Sequence, residues 1–288
     1  MKNPIVVGVN DTEASQAAVA WAMHRAAALK LPVVLVHALD DRWSYENYSF
    51  VDVIKKAGIE LLEKAKARAI EAEPSVELSI KQIPGSTGYV LRKQSRKASM
   101  VVVGSGEGWF GGAVTDRALQ IAGVALCPVA VIGATAGDGG RQGILVGADG
   151  SEEATQAVAF AAAEADREGQ DLTILHAFGS PMFRVPKGMP GSDLAESAAE
   201  EERVILSETA AGLAENYPDL TVHQVLVVDT APAKALVDAA RNAGLLVLGS
   251  RGRGAFKRLL MGSTAHAVVS QLPCPTIITR VSPVKHSQ

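Results

Sequence analysis

The stretch that decides the fold is VGADGSEEATQAVAFAAAEADREGQDLTILHA, Val146 to Ala177. It aligns without gaps on residues 7–38, VGVNDTEASQAAVAWAMHRAAALKLPVVLVHA, with Val7 opposite Val146 and Ala38 opposite Ala177. A match of this length within one chain indicates an internal duplication. The chain has 288 residues, about twice the usual domain length of roughly 100–150 residues, so two copies of one domain are predicted.

The boundary between the two copies is predicted from composition. Residues 133–142, GATAGDGGRQ, are rich in glycine and poor in apolar side chains, as flexible linkers are. We therefore predict one domain at residues 1–134 and a second at residues 143–288.

Each copy is predicted to contain five strands that alternate with helices. The strands are short runs of valine, leucine and isoleucine, which is typical of parallel strands buried on both faces. They lie near residues 5–10, 33–38, 76–83, 100–104 and 128–132, and near residues 144–149, 172–177, 221–228, 245–249 and 276–279. Right-handed crossovers then give an α/β fold of two tandem doubly wound five-stranded parallel-sheet domains, with the ligand site at the carboxyl ends of the strands.

The first helix of each copy is predicted from apolar periodicity. In the first copy the spacing indicates a buried face formed by Ala17, Ala20, Trp21 and Ala28. Glu13 and Arg25 are then expected to face water, and Trp21 and its counterpart Phe160 are interpreted as core residues.

The turn before this helix has two candidate roles. Asn10-Asp11-Thr12 and Asp149-Gly150-Ser151 contain residue types that form turns and cap helix N-termini. The same turn opens onto the expected ligand crevice, so Asp149 can also contact a ligand.

The most specific segment is GSRGRGAFKRLLMGSTAHAVV, from Gly249 to Val269, between the fourth strand and the last helix of the second copy. Glycines allow the backbone to approach an anion closely and to adopt positive φ, so that N–H groups point inward. The helix beginning near Ser263 adds the partial positive charge of its N-terminus, and the hydroxyls of Ser263 and Thr264 can donate hydrogen bonds to phosphate. This chemistry fits a polyphosphate.

In these residues the sequence resembles the ATP-binding members of the universal stress protein family. Their pattern, G-x2-G-x9-G-[ST] followed by a helix and Cys-Pro, is matched by Gly249, Gly252, Gly262-Ser263 and Cys274-Pro275. The resemblance covers both copies and includes the turn at Asp149. It implies an adenine nucleotide alpha hydrolase-like fold and ATP as the bound cofactor, with Mg2+ left open.

The resemblance also implies a role for each residue of the site. Asp149 is expected near the ribose and adenine, Ala177 is expected to hold adenine through its backbone, and Gly249 to lie beside the base and sugar. The phosphates are expected to contact Gly252, Gly262, Ser263 and Thr264. Four basic residues of the loop are candidates for additional phosphate ligands, namely Arg251, Arg253, Lys257 and Arg258. A mobile, solvated basic loop is the preferred interpretation for most of them.

The corresponding loop of the first copy, GSGEGWFGGAVTDRA, departs from this pattern. It is two residues shorter between its first glycine, Gly104, and the cysteine. Alignment places Glu107 opposite Gly252 and Asp116 opposite Ser263, and Asn10 replaces Asp149. Because carboxylates repel a polyphosphate unless a cation such as Arg117 intervenes, only the second copy is predicted to bind ATP at ordinary concentrations.

The histidines and cysteines are interpreted as structural residues. His37 and His176 end equivalent strands and are expected to be packed or hydrogen-bonded, because no cluster of cysteines or carboxylates accompanies them as in a zinc site. Cys127 and Cys274 each precede a proline and are expected to be buried, reduced thiols. No metal site is predicted.

Composition excludes several classes of partner. The net charge is −3, apolar residues make up 48% and charged residues 20%, and no basic run with interleaved aromatic residues suggests nucleic acid binding. The apolar stretches are too short for a signal peptide or for a membrane span of ~20 residues. A cytoplasmic protein with no membrane partner is therefore expected.

Two functions remain. The first is a non-enzymatic, ATP-binding regulatory module in stress response, in which nucleotide occupancy stabilises a conformation or a surface for an unknown protein partner. The second is a slow ATPase or nucleotide hydrolase of the same fold. Hydrolysis requires a positioned base, and Asp149 is the one candidate, so the module is favoured and no catalytic residue is assigned. The sequence leaves open whether the halves pair within one chain or in a homodimer.

Overall fold

A computed structural model describes residues 2–39, 48–105, 114–134, 140–179, 191–253 and 260–280. The chain forms two compact units, Met1–Asp138 and Gly139–Gln288. Strands and helices alternate in both units, and every strand pairing within either sheet of the described chain is parallel. The predicted α/β class, with two tandem doubly wound domains, is confirmed.

The first unit has a sheet of five strands in the order β3-β2-β1-β4-β5. The strands are β1 (Ile5–Gly8), β2 (Val33–Leu39), β3 (Leu78–Pro84), β4 (Met100–Ser105) and β5 (Val129–Gly133). The described helices are α1 (Glu13–Leu29), α2 (Tyr48–Ala72), α3 (Thr87–Ser95) and α4 (Val114–Val124).

The second unit repeats this order as β8-β7-β6-β9-β10. Its strands are β6 (Ile144–Gly147), β7 (Leu172–Phe178), β8 (Val222–Val228), β9 (Leu245–Gly249) and β10 (Thr276–Thr279). The described helices are α5 (Glu152–Glu168), α6 (Gly191–Ala210), the short α7 (Leu213–Asn216), α8 (Pro232–Ala240) and α9 (Ser263–Gln271). The predicted strands differ from these bounds by at most two residues at either end, and α7 was not predicted.

The strand order of the second unit reverses at β6. The chain passes from β6 to β7 on one side, whereas β9 pairs with the other side of β6. In an open parallel sheet such a reversal leaves a crevice at the carboxyl ends of the two central strands. The ends of β6 and β9, at Gly147 and Gly249, therefore mark the expected ligand site.

Small side chains bring α5 close to the central strands. Its buried face is rich in alanine, including Ala154, Ala157, Ala161 and Ala165. Ser151 caps the helix by accepting a hydrogen bond from the backbone N–H of Ala154 at 3.2 Å. The predicted capping role of this turn is therefore present in the structure.

Helix α1 buries a different face from the one predicted. Ala20 and Ala28 are exposed and Trp21 is half-buried, whereas Arg25 is only 7% exposed. The guanidinium carbon of Arg25 lies 5.4 Å from the centroid of the Trp21 ring, which suits a cation–π contact. Alanine occurs on every side of this helix, so the apolar pattern does not single out one face. The interpretation of Trp21 and Phe160 as core residues is also wrong, because both are only half-buried.

The two cysteines occupy the interior. Cys127 and Cys274 are both free and buried, and burial raises the pKa of each thiol to about 12. This agrees with the expectation that both are buried, reduced thiols. Within the part of the chain that is described, no helix is both long and apolar enough to cross a bilayer.

Candidate functional site

A cavity of about 520 Å³ lies at the carboxyl ends of β6 and β9. All seven residues that the sequence predicts for the site line it, namely Asp149, Ala177, Gly249, Gly252, Gly262, Ser263 and Thr264. The structure therefore brings together residues that span more than a hundred positions of the chain.

Part of the cavity lining is apolar. Ala148 and Ala177 come from the ends of strands, and Pro232 and Leu236 come from α8. Sequence analysis missed the contribution of α8. The sequence feature that could have revealed it is the proline in the first turn of this helix, which marks the helix start after β8. A helix that starts after a parallel strand begins at the edge of the sheet where the ligand crevice lies.

Helix α9 presents its N-terminus to this cavity. It begins at Ser263, as predicted, and Gly262 is its N-cap with an extended backbone at φ −71° and ψ 154°. No side chain of the described residues caps the helix. The first N–H groups of a helix have no intrahelical acceptor, so those of Ser263 and Thr264 can bind an anion.

Asp149 joins the turn after β6 to the glycine loop after β9. Its Oδ1 accepts hydrogen bonds from the backbone N–H of Ser151 at 3.0 Å and from the Ser151 hydroxyl at 2.6 Å. Its Oδ2 accepts a hydrogen bond from the backbone N–H of Arg253 at 2.8 Å. Both carboxylate oxygens are thus engaged in holding the rim of the cavity.

Two glycines of the loop, Gly249 and Gly252, are needed for space rather than for backbone conformation. Gly249, Gly252 and Gly262 all lack positive φ, so that part of the sequence interpretation is wrong for them. A Cβ at Gly252 would overlap Oδ2 of Asp149, and one at Gly249 would lie 3.0 Å from the carbonyl carbon of Glu153. Positive φ occurs instead at Gly150, in the turn after β6, with φ 74°.

Two arginines of the loop also line the cavity, and both are ion-paired. Arg251 lies 3.0 Å from Oε1 of Glu153. Arg253 donates two hydrogen bonds to Glu202 on α6, at 3.0 and 3.3 Å. They are therefore not the freely solvated side chains that the sequence suggested, whereas Lys257 and Arg258 lie outside the described residues.

Glu202 connects the loop to strand β7. Its Oε2 lies 2.6 Å from Nε2 of His176, and Nδ1 of His176 lies 2.6 Å from the carbonyl oxygen of Ala148. Partial burial raises the pKa of Glu202, but the hydrogen bonds and charges of Arg253 and His176 outweigh it, so the pKa lies below its ordinary value. The expectation that His176 is hydrogen-bonded is confirmed, as it is for His37, whose Nδ1 lies 2.9 Å from the carbonyl oxygen of Val9.

The turn of the first unit is built differently. Oδ1 of Asn10 accepts a hydrogen bond from the Thr12 hydroxyl at 2.7 Å. Glu107 lies outside the described residues, as does the side chain of Asp116. The loss of nucleotide binding in the first copy, which depends on those two charges, stays a prediction.

Fold and cavity together define the class: a tandem doubly wound α/β protein with a glycine loop and a helix N-terminus at the switch point of its second sheet. The chain belongs to the universal stress protein family, whose profile matches residues 1–133 and 140–280. The family resemblance stated from the sequence is thereby confirmed.

Individual relatives agree with this assignment. The universal stress protein Rv2623 of Mycobacterium tuberculosis is 33% identical, over 96% of each chain. The universal stress protein Rv2005c of the same organism is 34% identical, over 96% of this chain and 97% of its own. The crystal structure of a universal stress protein from Archaeoglobus fulgidus has the same fold, with a TM-score of 0.71 and 20% identity, over 97% of this chain and 99% of that one.

Proposed function

We propose that the second unit binds ATP in the cavity at the ends of β6 and β9, and that the chain is a nucleotide-dependent regulatory module in stress response. The observation that carries the proposal is the convergence of the glycine loop, the α9 N-terminus and Asp149 on one cavity. ATP requires this combination of an anion site and a crevice of sufficient size.

The cavity suits the two parts of a nucleotide. Its volume of about 520 Å³ falls within the roughly 300–1,000 Å³ of small-molecule sites. Adenine is assigned to the apolar lining, between the backbone of Ala177 and the side chains of Pro232 and Leu236. The triphosphate is assigned to the loop, where the N–H groups and hydroxyls of Ser263 and Thr264 can donate hydrogen bonds.

The ion pairs of the loop are compatible with a phosphate ligand. Arg251 and Arg253 are held at the cavity by Glu153 and Glu202, so their positions are fixed before a ligand arrives. Guanidinium groups form charge-assisted hydrogen bonds with phosphate oxygens. Both arginines therefore become phosphate ligands in this proposal, in contrast to the sequence interpretation.

The regulatory role is favoured over rapid hydrolysis because of the state of Asp149. It is the one carboxylate among the described lining residues. A general base must accept a proton from the attacking water, whereas three of the roughly four lone-pair positions of the Asp149 carboxylate already accept hydrogen bonds from Ser151 and Arg253. Slow hydrolysis remains the alternative function.

The experiment is a titration of nucleotide-free protein with ATP, run with Mg2+ and again with a chelator. At ~100 times the dissociation constant, ATP is expected to add about 2.7 kcal/mol to the free energy of unfolding of the second unit. No change in its melting temperature at millimolar ATP would overturn ATP binding. Steady-state turnover above about 1 s⁻¹, within the usual enzyme range, would overturn the regulatory role. A native mass spectrum reports bound nucleotide and any homodimer.

A further inference from the structure

A cleft in the first unit has chemistry that the nucleotide proposal does not use. It lies between α1 and α2 and has a volume of about 260 Å³. Its lining includes the apolar side chains of Val19, Met23, Leu61, Ala65 and Ala69. An apolar crevice of this kind removes the hydrocarbon part of a ligand from water.

Two cations lie at the same cleft. Lys64 and Arg68 are one turn apart on α2, so their side chains project on the same side of the helix. Neither forms an ion pair with a carboxylate of the described residues. Asp11 is the one carboxylate among the described lining residues, so the charge of the lining favours an anion.

The equivalent cleft of the second unit has a different character. Its residues Ile205, Glu208 and Thr209 on α6 repeat the spacing of Leu61, Lys64 and Ala65 on α2. Glutamate thus stands where the first unit has a lysine, and Arg253 of the glycine loop also lines that cleft. The apolar, cationic lining is therefore a property of the first copy and not a consequence of the fold.

A further apolar side chain lies on the same face of α2 beyond the cleft. Ile54 is seven residues before Leu61, which places it on the same helix face. It is 40% exposed. A ligand that extends out of the cleft along this face would therefore meet a second apolar side chain.

We propose that this cleft binds a free medium-chain carboxylate, with its hydrocarbon chain between α1 and α2 and its carboxylate at Lys64 and Arg68. The occupant is small because the cleft volume is below the roughly 300–1,000 Å³ of sites for drug-sized ligands. A single chain of about ten carbons fits, whereas a two-chain membrane lipid does not. The site is separate from the nucleotide cavity and does not depend on ATP binding.

The test is calorimetric titration of the full chain with decanoate, with decanol and decylamine as head-group controls. One decanoate is expected per chain, and saturating ATP is not expected to displace it. Decanol is expected to bind about tenfold more weakly because it has no charge for the cations to pair with, and decylamine is expected not to bind. Decanol binding as tight as that of decanoate, or displacement by ATP, would overturn the proposal.

Matched variants locate the site. Lys64→Glu with Arg68→Glu is expected to weaken decanoate binding by about tenfold or more, since two attractions become repulsions. Lys55→Glu with Lys56→Glu, the same total charge change at exposed positions of α2, is expected to have no effect. Ala65→Trp fills the cleft and is expected to abolish binding, whereas Ala67→Trp on the exposed side of α2 is not.

Circular dichroism is the control that checks whether each variant is folded. Unchanged decanoate affinity in folded Ala65→Trp and in the double charge variant would show that decanoate does not bind in this cleft. Binding of the protein to phosphatidylglycerol vesicles but not to decanoate would also overturn the proposal, because the ligand would then be a lipid surface.

Discussion

The Oδ2 atom of Asp149 accepts a hydrogen bond of 2.8 Å from the backbone N–H of Arg253, which lies 104 positions later in the chain. This bond fixes the distance between the turn after β6 and the glycine loop after β9. We therefore expect changes at Asp149, and at Gly252 beside it, to alter the loop.

Removing the carboxylate of Asp149 is expected to loosen the loop. Asp149→Ala leaves the N–H groups of Ser151 and Arg253 without their acceptor, and hydrogen bonds to a charged group contribute about 1.5–3 kcal/mol each. These groups are exposed or only partly buried, so water can replace part of the lost bonding. We therefore expect the free energy of unfolding of the second unit to fall by about 2 kcal/mol and ATP affinity to fall with it. Urea denaturation checks the first effect, and an unchanged midpoint would contradict it.

Adding a methyl group at Gly252 is expected to disrupt the same hydrogen bond between Asp149 and Arg253. The Cβ of Gly252→Ala overlaps Oδ2 of Asp149, so the carboxylate must leave its position. We expect ATP binding to weaken by about tenfold or more, since a charge-assisted bond is broken. In the Asp149→Ala background the same substitution has nothing to displace, so its additional cost should be small. Equal costs in both backgrounds would show that the two residues are not coupled.

Gly262 tests the phosphate site itself. A Cβ there has 3.4 Å to its nearest neighbour, the Cα of Arg251, so Gly262→Ala should fold normally. Gly262→Asp adds a carboxylate at the N-cap of α9 and is expected to abolish ATP binding by repulsion while the fold persists. Normal ATP binding by Gly262→Asp would show that the phosphates lie elsewhere.

The stoichiometry follows from the difference between the two copies. We predict one ATP per chain, bound by the second unit, because Asn10, Glu107 and Asp116 replace favourable residues in the first copy. Calorimetric titration of the full chain is expected to give a single site that Gly262→Asp removes. Two sites of equal affinity would overturn the asymmetry.

Acid is expected to weaken the link between α6 and the loop. The pKa of Glu202 is lower in the folded chain than its ordinary value of 4.5. As the pH falls, this carboxylate is therefore protonated at a higher pH in the unfolded chain than in the folded chain. The stabilisation by Glu202 is therefore complete above about pH 4.5 and is lost as the pH falls through the folded pKa. We expect Glu202→Gln to flatten this part of the stability profile. Glu200→Gln, which alters an exposed glutamate of the same helix, is the control.

The sequence predicted the strands and the cavity residues because both depend on local patterns. Short valine-rich runs identify buried parallel strands, and the spacing of Gly249, Gly252 and Gly262 identifies the loop. The face of α1 could not be predicted, because alanine suits an exposed and a buried position almost equally. The ion pairs of Arg251 and Arg253 depend on Glu153 and Glu202, which come close only when α5 and α6 pack, and no local pattern contains that information.

The overlap between Gly252 and Asp149 also restricts how this pair of positions can evolve. While Asp149 keeps its place, any side chain at position 252 is excluded, and once the aspartate is lost the requirement for glycine disappears with it. The two positions should therefore change together among descendants of one ancestral repeat. The first copy fits this expectation, because both positions differ there. Asn10 replaces the aspartate, and Glu107 is aligned with the glycine.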